Sequence, residues 1–220
     1  MTEHTSNDFA REQMVSQQVR AWEVLSERVL DVLRSLPRER FVPAAYRDLA
    51  FADTEIPLPQ GHFMLAPNVV GRILQTLELN GTERVLEIGS GSGFLTACLA
   101  KLAARVRSVE IVPELAALAR SHLSIAEVSN ADIVEGYGLQ YRDDVQYDAI
   151  AITASLPEYD ARFEQLLAPG GKLFVVVGDG QAMDARLIRR DAAGAVSVSS
   201  IFETVIEPLV NARRPESFRF

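Results

Sequence analysis

Apolar and polar positions change rhythm twice along this chain. From about residue 9 to residue 36 the spacing is helical. Val15 and Val19 share a face, and Ser26 stands where it can cap a second helix whose stripe is Val29, Leu30, Leu33 and Leu36, ended by Pro37. Pro43, Pro57, Pro59 and Pro67, with Gly61, then break regular structure and predict a long loop over about 53–66. Loops of that length inside compact domains usually carry function. Pro67 suits the first turn of a third helix, with Val70, Ile73, Leu74 and Leu77 buried and Asn80-Gly81 at its end.

From Arg84 the rhythm becomes strand, loop, helix, repeated. Strands are expected at 84–88, 105–110, 131–134, 147–152 and 172–177, and helices at 94–103, 114–123 and 158–167. This alternation predicts an α/β fold with a parallel sheet covered on both faces. Segments 185–190 and 196–205 flank a turn with Gly194 and read as an antiparallel pair extending one sheet edge. The chain thus reads as one domain over 1–220: a helical cap and loop at 9–80, a core at 81–180, and a strand pair with tail at 181–220.

Composition narrows the function classes. A chain of 220 residues, 48% apolar and 24% charged, has material for one large core and is neither disordered, collagenous nor coiled coil. Thirty acidic against twenty-two basic residues give a formal charge of −8, which repels phosphates and anionic lipid, so neither a nucleic acid nor a membrane is an expected partner. The single Cys98 allows no internal disulfide, and a polar start carrying Glu3 and Asp8 lacks the pattern of a secretory signal. Both fit a cytoplasmic protein. His4, His62 and His122 are scattered and Cys98 has no second thiol, so no metal is expected. Arg213, Arg214 and Arg219 give the tail a basic, solvated end. No feature fixes an oligomeric state.

The candidate chemistry lies in Val85-Leu86-Glu87-Ile88-Gly89-Ser90-Gly91-Ser92-Gly93, a strand entering a glycine turn and then a helix. Alternate glycines let the backbone approach a ligand at the carboxyl end of the strand. Phe94 occupies the place where the dinucleotide fingerprint needs a third-turn glycine, which leaves a pyrophosphate unsupported. The spacing suits S-adenosylmethionine, whose ammonium would meet an acid near Glu87. Glu110, at the next strand end, stands where a carboxylate accepts from ribose hydroxyls, with Ile111 beside it. Glu135, followed by Gly136, would reach the adenine edge.

Beyond this loop the chain resembles the protein-L-isoaspartate O-methyltransferase family over most of residues 11–180. The carrying segments are Arg38-Glu39-Arg40-Phe41-Val42-Pro43, Asp48-Leu49-Ala50-Phe51-Ala52-Asp53, the glycine loop, and Val109-Glu110-Ile111-Val112-Pro113-Glu114-Leu115. Tyr147-Asp148-Ala149-Ile150, Thr153-Ala154 with Pro157, and Leu167-Ala168-Pro169-Gly170-Gly171-Lys172-Leu173 follow in the family order. The resemblance implies a Rossmann-like, doubly wound, mostly parallel sheet with a helical cap. It also implies methyl transfer from S-adenosylmethionine to the carboxylate of an isoaspartyl residue in damaged proteins or peptides, with Asp53 on the acceptor side.

The departure lies in the acceptor loop. The family places Thr-Ile-Ser after Gly-Gln, whereas this chain has Gly61-His62-Phe63-Met64-Leu65-Ala66-Pro67, so Leu65 takes the serine place and His62 the glutamine place. A hydrogen bond to a charged group contributes about 1.5–3 kcal/mol, enough to change acceptor preference by roughly ten- to a hundredfold. Glu207-Pro208-Leu209-Val210 also alters the usual tail. His62 is expected to orient or deprotonate an acceptor. The alternatives to isoaspartate are a less polar acceptor in a pocket of Phe63, Met64 and Leu65, or a module that binds the donor without turnover.

Overall fold

The computed structural model describes residues 3–213; Arg214 and Arg219 of the basic tail lie outside them. The chain opens with α1 (Glu3–Gln13), which runs on through a π-helical turn at Met14–Val19 and a 3-10 turn at Arg20–Trp22. Glu23, left-handed at φ 61°, breaks the run before α2 (Glu27–Ser35). Val15 and Val19 are buried together, as their spacing predicts. Ser26 is not the expected side-chain cap. The amides of Leu25 and Ser26 instead donate to Gln75 Oε1, at 2.6 and 3.0 Å, so a neighbouring helix satisfies this end.

The proline-rich stretch carries more order than a loop. Ile56–Pro57 (β1) and Phe63–Met64 (β2) pair antiparallel, Ile56 opposite Met64, and close the segment around Pro59–Gly61. Helix α3 (Pro67–Leu77) starts at its proline and ends before Asn80-Gly81, because Glu78 turns left-handed at φ 50°.

A seven-stranded sheet follows, made of β3 (Arg84–Ile88), β4 (Arg105–Glu110), β5 (Ala131–Glu135), β6 (Tyr147–Leu156), β7 (Leu167–Val177), β8 (Met183–Arg190) and β9 (Val196–Thr204). Its order is β5-β4-β3-β6-β7-β8-β9. The first five strands are parallel and the last two antiparallel, as expected from the alternation and the tail pattern. Helices α4 (Phe94–Leu102) and α5 (Pro113–Ile125) connect β3 to β4 and β4 to β5.

Strand alternation sorts the core. Val85 joins the cluster that also holds the buried residues of α2, α3, α4 and α5, whereas Leu86 and Ile88 join a second cluster on the opposite face. That second face is closed by Phe163 and Leu166, with Tyr141, Tyr159 and Leu209 packed beside them. The helix expected at 158–167 is a 3-10 turn, Ala161–Leu166, opened by Asp160, whose side chain accepts from the Arg162 amide. Pro157 and this local side-chain bond compete with a regular helix there. No helix of the described residues is long and apolar enough to cross a membrane.

Candidate active site at the strand ends

The sheet order dictates where a ligand can bind. The chain runs outward from β3 to β5 and then returns to lay β6 on the other side of β3. Such a reversal opens a crevice beyond the carboxyl ends of the strands. A cavity lies there, with about 970 Å³ of space when the open solvent at its mouth is counted. Its walls are the glycine loop, the end of β4 through Ile111, the segment His62–Leu65, Thr153 and Ala154 of β6, and the tail Ile206–Val210.

The glycine loop is held from outside. Gly89 has φ +96°, and a Cβ on it would stand 2.4 Å from Thr153 Oγ1. The Thr153 hydroxyl lies 2.9 Å from the carbonyl oxygens of both Ile88 and Gly89 and donates to them as a shared bond. Thr153 reaches the loop because β6 carries a bulge. Ala151 pairs with Phe174 and Ser155 with Val176, so β6 holds extra residues at this point, and bulges re-aim side chains in this way. Gly93 has φ +82°, and a Cβ there would meet the Ala119 backbone of α5 at 3.1 Å. From the same helix His122 Nδ1 lies 2.8 Å from the Ser92 carbonyl and donates to it.

Glu110 is the central acid. Its Oε2 accepts from the Gly91 amide (2.9 Å) and the Ser90 hydroxyl (3.2 Å), and its Oε1 from the Val112 amide (3.1 Å). An ionised carboxylate offers about four acceptor positions, so three protein donors leave about one for a ligand hydroxyl. Glu110 therefore shapes the loop as well as facing the cavity.

The other predicted acids lie elsewhere. Glu87 is fully buried on the helix-covered face of β3, outside the cavity wall, where the Thr96 hydroxyl of α4 donates to it. Glu135 forms an ion pair with Arg120 at 2.9 Å and does not line the cavity. Gly138, rather than Gly136, does, while the Gly136 amide donates to the Glu110 carbonyl. Asp53 is exposed ahead of β1 and off the wall. His62, Leu65, Ile111 and the loop residues Gly89, Ser90, Gly91 and Ser92 do come together around the cavity. Glu55, Thr153, Gly138 and the tail residues were not predicted as site residues. The altered tail sequence at Glu207 and the place of Thr153-Ala154 among the resembling segments were the signals for them.

Segment 38–43 ties cap to core. Arg38 is fully buried. Its Nε donates to the Ala50 carbonyl (2.9 Å), its Nη2 to the Leu65 carbonyl (2.8 Å), and its guanidinium lies 4.8 Å from the centre of the Phe94 ring. Phe41 sits edge-on to both Phe94 and His122, with ring centres 5.4 Å apart in each pair.

Known proteins with this arrangement are numerous. The family described as protein-L-isoaspartate(D-aspartate) O-methyltransferase matches residues 10–214. The chain belongs to this family. A protein-L-isoaspartate O-methyltransferase of Methanoculleus marisnigri is 38% identical over 202 residues, 91% of each chain. Protein-L-isoaspartate O-methyltransferase 1 of Rhodopseudomonas palustris is 36% identical, covering 94% of this chain and 85% of its own. A Plasmodium falciparum structure assigned to the same enzyme, in complex with S-adenosyl-L-homocysteine, shares the fold. Its TM-score is 0.76 at 19% identity, over 90% of this chain and 97% of its own. Of the segments that carry the resemblance, the glycine loop and 109–115 supply residues of this chain's cavity wall, Gly93 standing off it, and 38–43 supports the wall from behind through the bond from Arg38 to the Leu65 carbonyl.

Glu87 makes one measurable consequence of this placement. Burial, chiefly, pushes its carboxyl up to about 7, the charge of Glu110 adds to this, and the neighbouring Ser108 and Thr96 hydroxyls oppose it. Of those two hydroxyls, that of Thr96 donates to Glu87 Oε2, while Ser108 Oγ and Glu87 Oε1 are buried without a partner. Because the folded value lies above the ordinary 4.5, the unfolded chain ionises first as pH rises, and stability present below pH 4.5 is lost by just above pH 7. In urea unfolding between pH 5 and 8, the wild type is expected to lose up to about 3 kcal/mol relative to Glu87→Gln. Parallel pH profiles of the two proteins would refute the assignment.

Proposed function

We propose that this chain transfers a methyl group from S-adenosylmethionine to the carboxylate of an isoaspartyl residue in a protein or peptide, the reaction for which its family is named. The observation that carries this reading is one continuous cavity reaching from the glycine loop and Glu110 to the acceptor loop at His62–Leu65. The residues present fit the donor. The glycine positions put backbone rather than side chains against the cavity, and Glu110 keeps an acceptor position after satisfying the loop.

In this reading Gly89, Ser90, Gly91, Ser92, Gly93 and Ile111 hold the donor, with Glu110 at its ribose. S-adenosylmethionine supplies an electrophilic methyl group when bound. An acceptor carboxylate is already ionised near neutral pH, so the chain has no strong base to provide. Its residues align the acceptor and exclude water, which suits the apolar side chains of Met64, Leu65 and Leu209 on the cavity wall. Half-buried His62 orients the acceptor from the loop. A cytoplasmic location belongs to the same reading, supported by the single, buried, free Cys98.

One observation favours a second reading. Phe63, Met64 and Leu65 all line the cavity, and the family resemblance places hydroxyls at the first and third of these, so a less polar acceptor also fits this wall.

The test is an assay with methyl-labelled donor on an isoaspartyl peptide and its aspartyl twin. Label is expected in the isoaspartyl peptide alone. Label in a small apolar acceptor and in neither peptide would establish the second reading. Leu65→Ser restores a hydroxyl and is expected to raise kcat/KM for the isoaspartyl peptide about tenfold. Thr153→Val removes the shared bond to the loop carbonyls and is expected to weaken S-adenosyl-L-homocysteine binding about tenfold by calorimetry, while Thr153→Ser stays within about twofold of wild type. Equal weakening in both variants would assign Thr153 to packing alone.

A further inference from the structure

An asparagine or aspartate followed by glycine can rearrange its own backbone. The glycine nitrogen attacks the side-chain carbonyl carbon, a five-membered imide forms, and water reopens the ring to a normal or an isoaspartyl linkage. Glycine suits this step because no Cβ hinders the attacking nitrogen. The chain has two such pairs, Asn80-Gly81 before β3 and Asp179-Gly180 between β7 and β8, and all four residues are exposed. Asparagine is intrinsically the faster, since its amide is neutral, whereas an ionised carboxylate must take up a proton before it can lose water. Sequence alone therefore ranks residue 80 as the first to change.

The structure reverses that order. Glu83 folds back on the Asn80 turn, and its carboxylate accepts from the amides of Asn80 (3.0 Å), Gly81 (3.0 Å) and Thr82 (3.1 Å). To attack, the Gly81 nitrogen must give up its proton. A carboxylate 3.0 Å away holds that proton and repels the anion that its loss would leave. The Asn80 side chain is tied as well, its Oδ1 accepting from the Thr82 amide at 3.2 Å and the Thr82 hydroxyl at 2.7 Å. The Glu83 carbonyl accepts from the amides of Ala104 and Arg105, so this carboxylate is carried on anchored backbone. Asp179-Gly180 has no such restraint. Among the described residues neither the Asp179 carboxylate nor the Gly180 amide makes a hydrogen bond, and glycines of positive φ flank Asp179, Gly178 at +139° and Gly180 at +95°.

We propose that isoaspartate forms in this chain at Asp179, and that Glu83 keeps Asn80 unchanged. At Asp179 a C–N bond forms from Gly180, the C–O bond of the protonated carboxyl breaks, water leaves with the amide proton, and a second water reopens the ring without change of mass. At Asn80 the bond broken would be that to the amide nitrogen, which leaves as ammonia, and reopening by water would leave the chain heavier. The placement bears on the site. An extra backbone carbon at residue 80 would fall at the entry to β3, the strand that carries the glycine loop, whereas residue 179 lies in the connection between β7 and β8. Neither step involves methyl transfer.

Ageing the full chain at neutral pH without methyl donor, beside two synthetic peptides of its residues 77–83 and 176–182, tests this by peptide mapping with chromatographic separation of aspartyl and isoaspartyl forms. Asp179 is expected to isomerise in the folded chain within about twofold of its peptide rate, and Asn80 to deamidate at least about tenfold more slowly than its peptide. In Glu83→Ala the Asn80 rate is expected to rise about tenfold, with the Asp179 rate and the circular dichroism spectrum unchanged, which reports that the variant is folded. The wild-type comparison needs no variant, so a Glu83→Ala chain that fails to fold leaves it intact. Deamidation of Asn80 at its peptide rate, an Asp179 that stays unmodified while its peptide isomerises, or a folded Glu83→Ala chain whose Asn80 remains slow would each overturn the proposal. The readout contains no methylation, so failure here and failure of the proposed function are told apart.

Discussion

A loop built on alternate glycines has little side-chain surface with which to fix its own shape, so its conformation must be imposed by its neighbours. Here Glu110 does most of this. One carboxylate ties the Gly91 amide and Ser90 hydroxyl to the Val112 amide, joining the turn after β3 to the turn after β4. Thr153 from β6 and His122 from α5 complete the hold from two other directions. Hydrogen bonds to an ionised group are among the stronger local restraints, and Glu110 is nearly inaccessible, so solvent competes poorly for it. The cost falls on ligand recognition: an acid spending three of about four acceptor positions on the protein has little left for ribose. In the proposed reading, donor binding rests on a backbone surface held open, with one charged contact added.

A second constraint stands behind the acceptor loop. Arg38 is buried without a carboxylate partner, bonded to two carbonyls and lying against the Phe94 ring, with Nη1 unsatisfied. Burial lowers its pKa to about 10, which still leaves it charged near neutral pH. Burying an unpaired charge is costly, and the arrangement persists because Arg38 joins Ala50 to Leu65, segments otherwise linked to the core by few bonds. The Leu65 carbonyl, not its side chain, receives this bond. The side chain at 65 can therefore change from a hydroxyl to a branched alkyl group without disturbing the anchor. This separates what the loop is attached by from what it shows to the cavity.

Much of this was legible in the letters. The β3 and β4 bounds, the buried stripe of α3 and the antiparallel tail follow from periodicity, because burial on one or both sheet faces imposes it. The expected helix at 158–167 failed for a local reason, since the Asp160 side chain took the Arg162 amide. Glu87 was misplaced because a polar residue beside a glycine motif invites a ligand role. Alternation from Val85 already puts it on the helix-covered face, where Thr96 awaits it. Thr153 and Glu55 were missed because their roles come from a bulge and a two-residue strand pair, features that pairing across distant segments creates and that no local pattern announces.

The two halves of the cavity are built with unequal rigidity, and this orders what can diverge. The donor half sits on the ends of central strands, where a shifted residue would disturb Glu110, Thr153 and the loop together. The acceptor half rests on β1 and β2, which pair over two residues each, and on a tail joined to β6 through Ser155. The side chains there are of two kinds: Ile56, Met64 and Leu65 are buried in the core, whereas Phe63 is 39% exposed and Glu207 is exposed as well. Surface substitutions of this kind usually change stability by less than about 0.5 kcal/mol, so they are free to change which acceptor is admitted. The family fold and its donor chemistry can therefore stay fixed while the mouth presents apolar side chains at Phe63 and Leu65.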